Sequence, residues 1–334
     1  MSHPFKPVLV CLALLSLPAL AAPPRPIALV IHGGAGVIER SRMTPAAEAS
    51  YRAGLATALD AGYAVLEHGG TSLDAVVAAV RIMEDDPQFN AGRGAVLDEA
   101  GDAELDAAIM DGSGPRAGAV AAVLHVKNPI ELARLVMDQS PHVLLVGAGA
   151  EEFALEHGVV LVPRSYFRTE RRVRELEEER AAEAARAKAG GVSASGTVGA
   201  VALDSAGNLA AATSTGGLTN KHRGRVGDSP LIGAGTYASN ESCAVSGTGA
   251  GEYYVRQVVA YDICAMVHYQ HLSLEQAVHE VVHEKLKRTG GEGGVIALDP
   301  AGHMVMDFNS AGMFRGARDS HGTRVIGMYG DDLQ

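Results

Sequence analysis

Gly196-Thr197-Val198-Gly199-Ala200-Val201-Ala202-Leu203-Asp204 opens a strand, Ser205-Ala206-Gly207-Asn208 turns the chain, and Leu209 to Ser214 returns it. Two apolar runs joined by a short turn of small and polar residues have the form of a β-hairpin. Gly294-Val295-Ile296-Ala297-Leu298-Asp299, a turn through Gly302, and Met304 to Phe308 repeat the design. Helices read between Glu252 and His268 and between Leu274 and Lys287 separate the two hairpins. In the first half, Ile27 to Ile31 reads as a buried strand that ends in a Gly-rich turn, His32-Gly33-Gly34-Ala35-Gly36. Pro45 to His68 and Ser72 to Glu84 read as helices, with Thr71 and Asp74 as a capping pair for the second. Alternation resumes at Ala117 to His125, followed by a helix near Pro129 to Gln139 and a strand near Val143 to Val146. Strands paired partly as hairpins and flanked by helix pairs point to an α+β sandwich of sheets covered by helices, not a parallel Rossmann sheet.

The 334 residues are 47% hydrophobic with a formal net charge of −11, a globular composition that opposes nucleic acid as a partner because phosphate binding needs a basic face. Residues 1–21 read as a signal peptide. Lys6 gives a basic start, Val8 to Leu17 is an apolar run too short to span a bilayer, and Ala19-Leu20-Ala21 offers a cleavage site. Pro18, Pro23 and Pro24 would break a structural strand or helix there. In a bacterium this means periplasmic export, with no membrane attachment after the signal is removed. Of the three Cys, Cys11 leaves with the signal, and Cys243 and Cys264 read as buried free thiols.

From about Arg168 to Lys188 the chain is dominated by Arg, Glu and Ala, and Gly190-Gly191-Val192-Ser193-Ala194-Ser195 follows. It reads as a solvated helix or mobile linker, about residues 165–195, that contributes nothing to a core. His279-Glu280-Val281-Val282-His283 matches the zinc pattern H-E-x-x-H, but no Gly-x-x-His extension or downstream carboxylate completes it. Ala277, Val278, Val281, Val282 and Leu286 make it an ordinary amphipathic helix. A sharper constellation is Thr197 after the polar linker, then Thr213-Ser214-Thr215-Gly216-Gly217, Gly224-Arg225-Val226-Gly227-Asp228 and Ser246-Gly247-Thr248-Gly249-Ala250-Gly251-Glu252. A lone Thr hydroxyl is a poor nucleophile without a nearby base. A cut between Gly196 and Thr197 would create that base, since an α-amine titrates at about 7.7–8.0 in reference peptides.

These clusters, with His32 to Gly36, resemble plant-type asparaginases/isoaspartyl aminopeptidases, which are N-terminal-nucleophile hydrolases. The resemblance runs from about Ile27 to Tyr329. It implies a four-layer αββα sandwich and self-cleavage at Gly196–Thr197. Residues 22–196 would form an α-subunit and 197–334 a β-subunit of one domain, assembled as a dimer of αβ heterodimers. Thr197 would be the nucleophile, with Thr215 hydrogen-bonded to it and Asn90 nearby. Arg225 would hold the substrate α-carboxylate and Asp228 the α-ammonium, with Gly251 in the same pocket. Thr248 and the Gly249 N–H would form the oxyanion hole. No catalytic cofactor is implied. A structural Na⁺ would be held by backbone carbonyls of Met83, Glu84, Asp86, Phe89, Ala91 and Arg93. Ala250 departs from the family, many of whose members carry a polar residue there.

The chemistry so implied is hydrolysis of the β-amide of an L-aspartyl unit, on β-aspartyl dipeptides and also on L-asparagine. Competing readings are a glycosylasparaginase, a zinc peptidase using His279 and His283, and an uncut, non-catalytic solute-binding protein.

Overall fold

The computed structural model describes residues 25–36, 38–186 and 196–332. The signal-peptide reading of residues 1–21 and the glycine-rich stretch 190–195 lie outside them. The chain begins with β1 (Ala28–Gly36), α1 (Pro45–Glu67) and α2 (Ser72–Asp85), continues through β2 (Leu105–Asp111), β3 (Ala117–Val123) and α3 (Pro129–Gln139), and reaches β4 (Leu144–Val146), α4 (Gly147–Glu156) and α5 (Glu170–Arg186). The second half opens with the hairpin β5 (Val198–Leu203) and β6 (Leu209–Thr215), then β7 (Thr236–Ala238) and β8 (Ala244–Gly249). Helices α6 (Gly251–Gln257), α7 (Val259–Gln270) and α8 (Leu274–His279), the last continued by a π-helix (Glu280–Leu286) and a short turn of helix (Lys287–Thr289), precede β9 (Gly293–Leu298), β10 (Met304–Phe308), β11 (Gly312–Asp319) and β12 (Arg324–Tyr329).

The strands form one eight-stranded sheet, β12-β11-β1-β5-β6-β2-β3-β4, and one four-stranded sheet, β10-β9-β8-β7. Pairing is antiparallel except for β3 with β4. Side-chain alternation along the central strands divides their residues between two cores. Ala200 and Ala202 of β5, with Leu29 and Ile31 of β1, face Leu55, Leu59, Val76 and Val80 of α1 and α2. Val201 and Leu203, with Ala28 and Val30, face Ile296 and Leu298 across the space between the sheets. A third core joins the outer face of β8 and β9 (Val245, Val295 and Ala297) to Ile263, Val278, Val281 and Val282. The result is helix, sheet, sheet, helix, and β5 is buried along its whole length because both of its faces are covered.

Thr44 and Thr71 cap α1 and α2 by accepting the N–H groups of Ala47 and Asp74 at 3.2 and 3.1 Å. The two main hairpins and the helices of the first half stand where the sequence places them. Four expectations need correction. His32 to Gly36 is the end of β1 rather than a turn, with a register shift between His32 and Gly34. The helix read from Glu252 to His268 breaks at Val258, whose φ is +52°. Carbonyls of Gly233 and Ala234 take the N–H groups of Tyr261 and Ala260, which redirects the chain there. The Arg/Glu-rich segment is helix α5, and it does join a core: Leu176 is buried in the first core, Val173 packs against it, and the Arg172 Nε–H bonds the Gly94 carbonyl at 2.5 Å. Finally, Cys243 and Cys264 are buried as expected but are joined in a disulfide (Cα–Cα 5.3 Å), tying the start of β8 to α7.

Candidate active site

Thr197 is the residue before β5, in the middle of the large sheet, and its side of the hairpin lies beside the end of β6. The register Val198↔Ser214 brings Thr197 to Thr215. The Thr197 hydroxyl donates to Thr215 Oγ1 at 3.3 Å, and the Gly217 N–H donates to that same oxygen at 3.0 Å. From the other sheet, β8 delivers Thr248, whose Oγ1 accepts the Ala35 N–H of β1 at 3.1 Å. Because that lone pair is used, the Thr248 hydroxyl hydrogen is left for another acceptor. The buried Tyr254 hydroxyl is shared between the carbonyls of Thr248 (3.2 Å) and Gly294 (3.0 Å), which fixes the turn into Gly249.

The peptide before Thr197 is held just as closely. Asn90 Nδ2 donates to the Gly196 carbonyl at 2.6 Å and to the Gly217 carbonyl at 2.8 Å, while its Oδ1 accepts the Val96 N–H at 2.9 Å. An amide donor therefore sits on the carbonyl of the Gly196–Thr197 bond, where negative charge would develop if that bond were attacked. Gly34 (φ +116°) lies against it: a Cβ there would meet Gly196 Cα at 2.7 Å and Thr197 N at 3.1 Å. Glycine is needed here for both the conformation and the approach.

His32 sits beneath. Full burial lowers its pKa to about 3, so the ring is neutral. Nδ1 donates to the Thr197 carbonyl at 3.0 Å, leaving Nε2 to accept from Ser246 Oγ at 2.9 Å. Thr213 Oγ1 and Thr236 Oγ1 extend this buried chain at 2.7 and 2.6 Å.

Arg225 and Asp228 do not pair with each other. The Arg225 guanidinium donates from Nε and NH2 to both oxygens of Glu252, at 2.9 and 3.0 Å. Asp228 is buried, and its Oδ2 has no hydrogen-bond partner. Burial is the main cause that raises its pKa to about 7, against the opposing pull of Arg225. Glycines line both groups: a Cβ on Gly251 would meet Asp228 Oδ1 at 2.8 Å and Arg225 NH2 at 3.0 Å. A guanidinium and an under-partnered carboxylate packed side by side among glycines have the charges that would match a ligand carrying a carboxylate and an ammonium together.

A groove of about 690 Å³ opens at Gly196 and Asn90, between the end of β1 and α5, with Arg171, Arg172 and Glu175 on its α5 wall. Arg225 and Asp228 do not line it. Glu84, at the end of α2, is a buried carboxyl whose pKa burial raises to about 8; it accepts the Ser214 hydroxyl at 2.6 Å.

The structure thus brings Thr197, Thr215 and Asn90 into one hydrogen-bonded centre, ties Thr248 to Ala35 of β1, and gathers Arg225, Asp228 and Gly251 into a second group. Sequence reasoning missed the His32 ring, Ser246 and the hold of Glu252 on Arg225. It also missed Asp307, a carboxylate that stands 2.9 Å from His283 Nε2 where no downstream ligand was expected.

The family model described as asparaginase matches residues 25–328. The chain is similar to the isoaspartyl peptidase of Salmonella typhimurium, 50% identical over 306 residues that cover 90% of this chain and 98% of that one. The isoaspartyl peptidase of Escherichia coli is 49% identical, covering 90% and 95%. The human isoaspartyl peptidase/L-asparaginase is 44% identical over 288 residues, covering 86% and 91%.

Proposed function

The chain belongs to the asparaginase family, and from that premise we propose how its residues cleave the β-amide of L-aspartyl units. It is a hydrolase of the isoaspartyl peptidase/L-asparaginase type. The chain cuts itself between Gly196 and Thr197: the Thr197 hydroxyl attacks the Gly196 carbonyl that Asn90 polarises, the C–N bond breaks to free the Thr197 α-amine and leave Gly196 as an ester on the hydroxyl, and water hydrolyses that ester. The cut gives an α-subunit ending at Gly196 and a β-subunit starting at Thr197, which stay together because β1 and β5 pair within one sheet. The new α-amine serves as the general base for the Thr197 hydroxyl in attack on substrate. Thr215 positions that hydroxyl.

In the substrate complex, Arg225 binds the α-carboxylate and Asp228 the α-ammonium of the aspartyl unit, with Gly251 leaving room for both. The bond presented to Thr197 is then the β-amide. Thr248 and the Gly249 N–H stabilise the tetrahedral oxyanion, the leaving amine takes its proton from the Thr197 ammonium, and water hydrolyses the β-aspartyl ester. His32 holds the Thr197 carbonyl throughout. The observation that carries this reading is the meeting at one peptide of the Asn90 donor and the Thr197–Thr215 hydroxyl pair. β-Aspartyl dipeptides are the preferred substrates and L-asparagine a second one. Parallel assays on a β-aspartyl dipeptide, L-asparagine and an N-acetylglucosaminyl asparagine test this. Turnover confined to the glycosylated substrate would favour a glycosylasparaginase.

A structural Na⁺ belongs to the same proposal. The loop after α2 crowds carbonyls into space only glycine leaves: a Cβ on Gly92 would strike the Glu84 carbonyl, and one on Gly94 the Phe89 carbonyl. The Asp86 and Ala91 carbonyls also accept the N–H groups of Phe89 and Gly94 at 3.3 and 3.0 Å, which leaves each a second lone pair, so the carbonyls of Met83, Glu84, Asp86, Phe89, Ala91 and Arg93 are the proposed ligands. An ion there would fix the loop that carries Asn90. Periplasmic export is likewise proposed, supported by the disulfide, which suits an oxidising compartment. Among the described residues no helix is long and apolar enough to cross a membrane. Assembly as a dimer of αβ heterodimers is supported by the exposed apolar strip Val143, Leu144 and Val146 along edge strand β4.

A further inference from the structure

The His279-Glu280-Val281-Val282-His283 run is the motif that β-aspartyl chemistry leaves unused. His279 ends α8, and the helix continues from Glu280 to Leu286 as a π-helix, which carries His283. The two imidazoles stack with ring centroids 4.7 Å apart and planes 27° from parallel. β10, the edge of the four-stranded sheet, brings Asp307 to them, with Oδ1 at 2.9 Å from His283 Nε2. One ligand atom from each of the three residues lies within 4.8 Å of the other two. The Phe308 N–H donates to the same Asp307 oxygen at 2.8 Å, an outer contact of the kind that orients ligating carboxylates.

We propose that His279, His283 and Asp307 form a binding site for one divalent transition-metal ion of the zinc type, which fastens the outer helix layer to edge strand β10. Two imidazoles and one carboxylate suit zinc and its neighbours in the first row, whereas magnesium and calcium take oxygen ligands almost exclusively. Zinc bonds of about 2.0–2.2 Å place tetrahedral ligand atoms roughly 3.4 Å apart. The three atoms already lie within 4.8 Å of one another, and side-chain rotation sets the rest, since His279 is exposed and His283 and Asp307 are half-buried. The fourth position faces a shallow groove of about 530 Å³, lined by Glu275, Gln276, Met304 and Met306 among others, and takes water. The ligands come from two elements that separate when the chain unfolds, so the ion binds the folded state and stabilises it. The site lies on the outside of the four-stranded sheet, while Thr197 lies in the eight-stranded one, so the ion has no part in amide hydrolysis.

The test uses the tag-free enzyme, stripped with chelator and titrated with Zn²⁺ against a chromophoric competitor, with the thermal midpoint followed in parallel. One Zn²⁺ per protomer is expected, with a midpoint several degrees higher at saturation and no rise with Mg²⁺. His279→Gln and Asp307→Asn should each weaken Zn²⁺ binding roughly tenfold or more and abolish the rise. Their metal-free midpoints and β-aspartyl hydrolysis should match the parent, which separates loss of a ligand from loss of the fold. Absence of stoichiometric binding, or unchanged affinity in both variants, would overturn the proposal.

Discussion

The two halves of the proposed active site are built on opposite plans. Around Thr197 the named polar groups are paired: its hydroxyl with Thr215, its carbonyl with His32, and the Gly196 carbonyl with Asn90. Around the clamp of Arg225 and Asp228 the pairing is incomplete. Asp228 is buried with an unpartnered oxygen, and Arg225 is taken by Glu252, whose side chain is 49% exposed and can swing away. A buried polar atom without a partner costs about 1–3 kcal/mol, which an arriving ammonium would relieve. On the proposed reading, the Thr197 end is finished before substrate arrives and the Arg225/Asp228 end is finished by the substrate. Substitutions at the first should therefore act on kcat and those at the second on KM.

The largest expected effect is at Thr197. Thr197→Ala should leave the chain uncut and lower β-aspartyl hydrolysis by roughly four orders of magnitude or more, read by denaturing gel and steady-state assay. Thr248→Val removes a donor from the oxyanion and should lower kcat by roughly 10²–10³-fold with KM little changed. Asp228→Asn keeps the shape of the clamp but loses its charge. It should raise KM by roughly 10²-fold while the chain is still cut and kcat is retained within a few-fold. A large fall in kcat with unchanged KM for Asp228→Asn would erase the division between the two ends.

Proton uptake by the clamp sharpens the same contrast. The Asp228 carboxyl titrates near 7 because burial disfavours its charge, so it is neutral below that pH and attracts the substrate ammonium poorly. Lowering the pH through 7 should raise KM, by about tenfold per unit once well below the pKa, and Asp228→Asn should flatten that limb. Substrate binding should pull the pKa down, so protons are released on binding near pH 6.5–7, measurable by calorimetry in buffers of different ionisation enthalpy. The smallest effect is at Glu252. Glu252→Gln frees Arg225 for the substrate carboxylate and should lower KM by up to about five-fold, the scale of a half-exposed ion pair.

What was legible in the sequence was what local pattern encodes. The β5–β6 hairpin carries its turn and its apolar runs within nineteen residues, Gly196 to Ser214, and the motif clusters stand in family order. The end of β1 was not legible, because three glycines in five residues read as a turn unless a neighbouring strand holds them extended. β2 lacks alternation, Leu105 to Asp111, because both of its faces are buried. The break at Val258 depends on carbonyls from Gly233 and Ala234, and the disulfide on β8 approaching α7. The missed side-chain partners share that cause. Ser246 reaches His32 across 214 positions and Asp307 reaches His283 across 24, distances over which spacing carries no signal.

Intact mass and N-terminal sequencing of the purified protein address the central claim most directly. Two chains that stay associated, the smaller beginning at Thr197, are the expected result, and Thr197→Ala should give one. A single uncut wild-type chain that nonetheless hydrolyses β-aspartyl amides would contradict catalysis by an N-terminal threonine, since the α-amine assigned as its base would not exist.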